Sequence, residues 1–135
     1  DLESARSRMT DTVYRRARHV ITENDRTRMA CDALRAGNPA DFGVLMNQSD
    51  ESLRRDYEVT CKELDLLTSI ARGIDGCYGA RMTGAGFGGC TVNLIAEECV
   101  SDFSRRLTLS YRAQTGYDAK LIFSRPAAGA SQLIV

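Results

Sequence analysis

The apolar residues of this chain change period part-way along it. Up to Gly73 they recur at steps of three and four, the spacing of one helix face. From Tyr78 they alternate, the spacing of a strand, with one helical interlude. Helices followed by a strand–loop–strand–helix–strand–strand unit predict an α+β domain, with helices packed on a mainly antiparallel four-stranded sheet. The 135 residues suit one domain, 1–135, with room for a real core.

A long helix is expected from about Ser7 to Ala36. Val13, Ala17, Val20, Asn24, Thr27, Cys31 and Leu34 form its stripe, widened by Met9, Ile21 and Ala30. Gly37 stops it, because glycine takes a left-handed conformation at little cost. Asn38 and Pro39 suit the cap and first position of a second helix, with Phe42, Leu45 and Met46 inward. Ser49 and Asp50 open a further short stretch carrying Leu53 and Tyr57. Thr60 to Glu63 has the capping-box pattern, ahead of a helix burying Leu64, Leu67, Ile70 and Ala71. Strands are expected at 78–83, 90–95, 120–124 and 132–135, with Cys90, Val92 and Leu94 on one face. Glu97 and Glu98 favour the start of the intervening helix, whose positive end attracts carboxylates.

Lys plus Arg and Asp plus Glu number 18 each, so bulk charge recommends neither nucleic acid nor an anionic membrane as partner. No apolar run approaches the roughly 20 residues of a membrane span. The start at Asp1 has no signal-peptide pattern and suggests a piece of something longer. The five cysteines are odd in number and lack a C-x-x-C pair, which fits free, mostly buried thiols in a reducing, cytoplasmic compartment. With His19 the only histidine, no Cys/His metal site is expected.

Polar residues inside the pattern are the candidates for more than packing. His19 lies beside the stripe and reads as a surface or interface residue. Asn24 lies in it, as a satisfied core amide or a contact to another domain. Arg15, Arg16, Arg18, Arg26 and Arg28 read as a solvated face, and the charges from Asp50 to Glu58 as exposed helix. Asn47 and Gln48, followed by Ser49, either cap a helix or line a site.

The segment Thr83-Gly84-Ala85-Gly86-Phe87-Gly88-Gly89 is the one with chemical promise. Four of the six residues from Gly84 to Gly89 are glycine, each costing roughly 0.5–1 kcal/mol of chain entropy relative to alanine. The G-x-G-x-x-G match is weak evidence of a dinucleotide site, because a strand follows where a helix is required, and no G-K-[ST] follows either. Two readings stay open: a hairpin connection, or a loop whose successive amides gather around phosphate oxygens.

Gly79-Ala80-Arg81-Met82-Thr83-Gly84-Ala85-Gly86-Phe87-Gly88-Gly89-Cys90-Thr91-Val92 resembles the third signature motif of the GHMP small-molecule kinases, in its galactokinase form. Residues Tyr14 to Asn24, Phe42 to Ser49, Ser52 to Cys61 and Glu63 to Asp65 are similar to galactokinases in the same order. Departures are Asp50 where many have His, Arg55 where an acid is common, and Lys62 where Pro is usual. The resemblance implies the C-terminal domain of such a kinase, with a ferredoxin-like sheet and an N-terminal domain outside this chain as its partner. It also implies ATP with Mg2+ as cofactors and D-galactose as substrate, phosphorylated to galactose 1-phosphate. Sugar motif, metal ligands and acting carboxylate would all lie outside this chain, so no catalytic or metal-binding residue is expected here. Thr83, Gly84, Ala85, Gly86, Phe87, Gly88 and Gly89 would then lie near ATP phosphates, and Asn47 and Gln48 would face the cleft. A non-catalytic sugar and ATP sensor and an N-acetylgalactosamine kinase are the alternatives within the resemblance. Neither nucleic acid nor membrane is implied.

Overall fold

The computed structural model describes residues 2–125 and 127. A 3-10 turn, Glu3–Arg8, precedes α1 (Asp11–Arg35) and α2 (Pro39–Ser52), which runs into a π-helical segment (Leu53–Tyr57). Then come α3 (Lys62–Arg72), β1 (Cys77–Thr83), β2 (Cys90–Ile95), a 3-10 turn (Glu97–Cys99) and α4 (Val100–Thr115).

Local chemistry accounts for most of the ends. Thr10 caps α1 by accepting the Val13 N–H at 3.3 Å. Gly37 follows α1 at φ 64, the left-handed value expected of it. Asn38 accepts the Asp41 N–H at 3.1 Å and caps α2. Three boundaries differ from expectation, the first being that α1 begins at Asp11 and not near Ser7. No helix starts at Ser49, because the Ser49 and Asp50 side chains face inward and α2 continues to Ser52. The capping box does not form either: Cys61, not Thr60, is the N-cap of α3 and makes no side-chain cap bond.

Leu64, Thr68 and Ala71 of α3 are buried against the inner face of β1, Ala80 and Met82, and against Phe103 and Leu107 of α4. α2 lies on β1 at a crossing that admits no side chain. A Cβ on Gly43 would overlap the Tyr78 backbone, and one on Gly79 the Gly43 backbone. At that approach α2 replaces a neighbouring strand with side chains. Asn47 Oδ1 accepts the Ala80 N–H at 2.9 Å, and Asp50 Oδ1 accepts the Met82 N–H at 2.8 Å. Arg72 ties this edge together, donating to Asn47 Oδ1 (2.8 Å), Asp50 Oδ2 (2.5 Å) and the Ala80 carbonyl (2.6 Å). Asp50, expected on an exposed helix face, is only 3% exposed, because its charge is spent on β1.

β1 and β2 pair antiparallel, with Arg81 opposite Val92 and Thr83 opposite Cys90. The four-stranded sheet expected from the sequence is two-stranded among the described residues. Residues 120–124 carry no strand ladder; Leu121 packs on the core, whereas Ile122 and Phe123 are exposed. The edge of β1 where another strand would pair is already filled by α2. Residues 132–135, expected as the fourth strand, lie outside the described residues.

α1 also turns a different face inward. Val20 is 52% and Leu34 59% exposed, while His19 and Ala33 are buried. The reason lies in what α1 packs against: α2 and the π segment present Ser49, Ser52 and Asp56. His19 therefore is not a surface residue. Ser52 Oγ donates to Asp56 at 3.2 Å and accepts from His19 Nδ1 at 2.9 Å, and the imidazole stacks on Tyr57 at 4.6 Å. Among the described residues no helix is long and apolar enough to cross a membrane.

Candidate functional site

β1 places Thr83 at the mouth of the glycine loop, opposite Cys90 where β2 begins. Between them, Gly84, Gly86, Phe87, Gly88 and Gly89 all have positive φ. The ladder ends at Thr83 and Cys90, so this run lies outside it. Phe87 donates its N–H to the Val59 carbonyl at 2.7 Å; the amides of Gly84, Ala85, Gly86, Gly88 and Gly89 have no backbone acceptor among the described residues. A Cβ at Gly84, Gly88 or Gly89 would meet open space, so backbone conformation, not crowding within the chain, requires glycine there. At Gly86 both requirements apply: φ is 84, and a Cβ would overlap the Val59 carbonyl oxygen. The loop tip carries Phe87, 75% exposed and left-handed at φ 58. The site thus offers amides without a backbone acceptor among the described residues and one exposed ring, with no charged side chain in the loop itself.

Asn47 and Gln48 both line one groove, and Asn47 is also tied to β1. Asn47 holds the edge of β1 and so fixes the strand leading to the loop. Gln48 is exposed on that groove, of about 590 Å³ between α1 and α2. The arginines on that groove, Arg18, Arg26, Arg55 and Arg72, are paired with Asp56, Glu23, Glu51 and Asp50. Among the described residues lining it, no positive charge is left unpaired. Among the described residues no group of three or more His, Cys, Asp or Glu could hold a metal ion.

Sequence reasoning missed Val59 as the seat of the loop and Asp50 as an anchor of β1. No local spacing announces Val59, whose partner lies across the hairpin. Asp50 had a signal: Gly43, Asn47 and Asp50 share one face of α2 at steps of four and three.

The family model of the GHMP kinases C terminal matches residues 30–110. The chain belongs to the GHMP kinase family. The matched part of this GHMP kinase domain includes the glycine loop and both strands beside it. It is 44% identical to a galactokinase of Roseiflexus sp. (strain RS-1) over 88% of its length and 30% of that protein's. It is 45% identical to the galactokinase of Homo sapiens over 98% of its length and 33% of that protein's. Its fold is similar to the crystal structure of Lactococcus lactis galactokinase complexed with galactose, with TM-score 0.80 and 43% identity. That match covers 87% of this chain and 31% of the other. The GHMP kinase domain thus spans about a third of the length of these relatives.

Proposed function

We propose that this chain, residues 1–135, is the C-terminal domain of a galactokinase. The polypeptide carrying it would transfer the γ-phosphoryl group of ATP to the anomeric hydroxyl of D-galactose, giving galactose 1-phosphate. Several galactokinases, from bacteria and from Homo sapiens, support this reading at 44–46% identity over most of the chain. The observation that carries it is the glycine loop, with five amides free to face an anion.

Phosphoryl transfer depends on positioning and on neutralising charge spread over the moving group. On this reading the amides from Gly84 to Gly89 approach the ATP phosphates, and the exposed Thr83 hydroxyl donates to a phosphate or to a neighbouring loop. Gln48 faces the cleft, and Asn47 serves it indirectly by holding β1. The N-terminal domain covers the loop and supplies the sugar pocket, the acting carboxylate and the ligands of Mg2+. The four-stranded sheet and a cytoplasmic location belong to the same reading. Thr91 and Asn93 stand opposite Met82 and Ala80, whose N–H groups turn to α2, so their own backbone groups point away from β1, where a further strand would find its bonds.

The test is galactose-dependent ADP release. The full-length polypeptide is expected to show it, and this chain alone is expected to show none. Binding of sugar and ATP without turnover would indicate a sensor, and turnover of N-acetylgalactosamine instead of galactose would indicate the sister kinase.

A further inference from the structure

The glycine loop is fastened to the rest of the described chain at Val59, and that fastening leads back to α1. Val59 follows Glu58, a residue with a side chain held left-handed at φ 58 and ψ 46. Such a conformation persists where its surroundings impose it. Here the Leu53 carbonyl accepts the Glu58 and Val59 N–H groups, and arginines hold the Glu58 side chain. Glu58 divides its carboxylate between Arg15 (2.9 Å) and Arg16 (2.6 Å) of α1. Arg16 also donates to the Asp56 carbonyl, and Arg18 grips the Asp56 carboxylate through both oxygens. The arginine run that looks like a solvated face in the sequence therefore binds the end of the π segment. One residue further on, the Val59 carbonyl receives the Phe87 N–H, and Gly86 packs against the same oxygen.

We propose that the Glu58–Val59 turn, clamped by Arg15 and Arg16, is a positioning element for the glycine loop. It sets where Gly84 to Gly89 present their amides, and through them the rate of phosphoryl transfer. Glu58 touches no reacting group; it acts through the Val59 carbonyl. The catalytic half rests on the galactokinase reading, whereas the mechanical link does not.

The experiment uses the full-length polypeptide with Glu58→Gln, which keeps the side chain's shape and weakens both ion pairs, and with Arg16→Met. Hydrogen exchange is followed at the Phe87 amide, with the Ala80 and Met82 amides reporting on the fold. Initial rates give kcat and KM for galactose and ATP. In Glu58→Gln, exchange at Phe87 is expected to quicken about tenfold with Ala80 and Met82 unchanged. kcat is expected to fall about tenfold while the galactose KM moves less than twofold. Unchanged exchange at Phe87 overturns the link, and quicker exchange with unchanged kcat overturns its catalytic role. If Glu58→Gln loses protection at Ala80 and Met82 as well, Arg16→Met decides on the same readouts, since Arg15 still holds Glu58. If the parent turns over no sugar, the galactokinase reading falls with the catalytic half, and exchange at Phe87 alone decides the link.

Discussion

Replacing Gly43 by alanine sets two effects of opposite sign against each other. Alanine in a helix interior is favoured over glycine by about 1 kcal/mol. By propensity alone, Gly43→Ala strengthens α2. The added Cβ, however, would overlap the Tyr78 carbonyl, backbone on both sides of the contact, so neither can swing away. Overpacking of this kind costs about 1–3 kcal/mol. Relief comes only by α2 retreating, which stretches the 2.9 Å bond from Ala80 to Asn47 and the 2.8 Å bond from Met82 to Asp50. A buried donor left unsatisfied costs about 1–3 kcal/mol more. The net expectation is a loss of about 1–5 kcal/mol, or a Tm lowered by roughly 4–20 °C in a domain of this size. Thermal unfolding by circular dichroism measures it, and quicker exchange at Ala80 and Met82 locates it. A Tm equal to or above the parent's would refute the reasoning and show the crossing to be loose.

Three further outcomes are expected. Gly86→Val in the full-length polypeptide lowers phosphoryl transfer about 10²-fold through displacement of the loop, while Ala80 and Met82 stay protected; an unchanged rate would make the loop a mere turn. Burial holds the His19 imidazole below its usual pKa, outweighing the nearby Glu23 and Asp56 carboxylates, with Arg26 and Arg81 acting in the same direction as burial. The unfolded chain therefore binds the proton more readily, and stability falls as pH drops below about 6.5, at up to about 1.4 kcal/mol per pH unit. Urea midpoints from pH 7.5 to 5 should show this slope flattened in His19→Gln, and equal slopes would refute it. Burial would raise Asp56, but Arg18 and the Ser52 hydroxyl outweigh it; Glu58 is held low by Arg16 and Arg15, and both add their own loss only at lower pH, from the ordinary carboxylate range downward. Burial raises the Cys77 thiol, so alkylation at pH 8 labels the exposed Cys31 and Cys90 first and Cys77 last; labelling of Cys77 as fast as Cys31 would contradict the packing around it.

Local chemistry made much of this domain legible. Asn38 and Gly37 mark helix ends, alternation places β2 at Cys90–Ile95, and the crowded glycines mark the loop, because each depends on neighbours a few residues away. The same glycines, with the flanking segments, carry the family resemblance. Three-dimensional packing decided what periodicity cannot express. A stripe at steps of three and four says that a helix has a face, not what lies opposite it. α1 meets Ser49, Ser52 and Asp56, so its hydrogen-bonding side with His19 and Glu23 turns inward and Val20 and Leu34 turn out. Asn47 and Asp50 likewise gained their roles from β1, more than thirty residues away in sequence. Val59 became the seat of the loop only when the hairpin folded back onto the π segment. Hydrogen bonds over such separations leave no spacing in the chain to read.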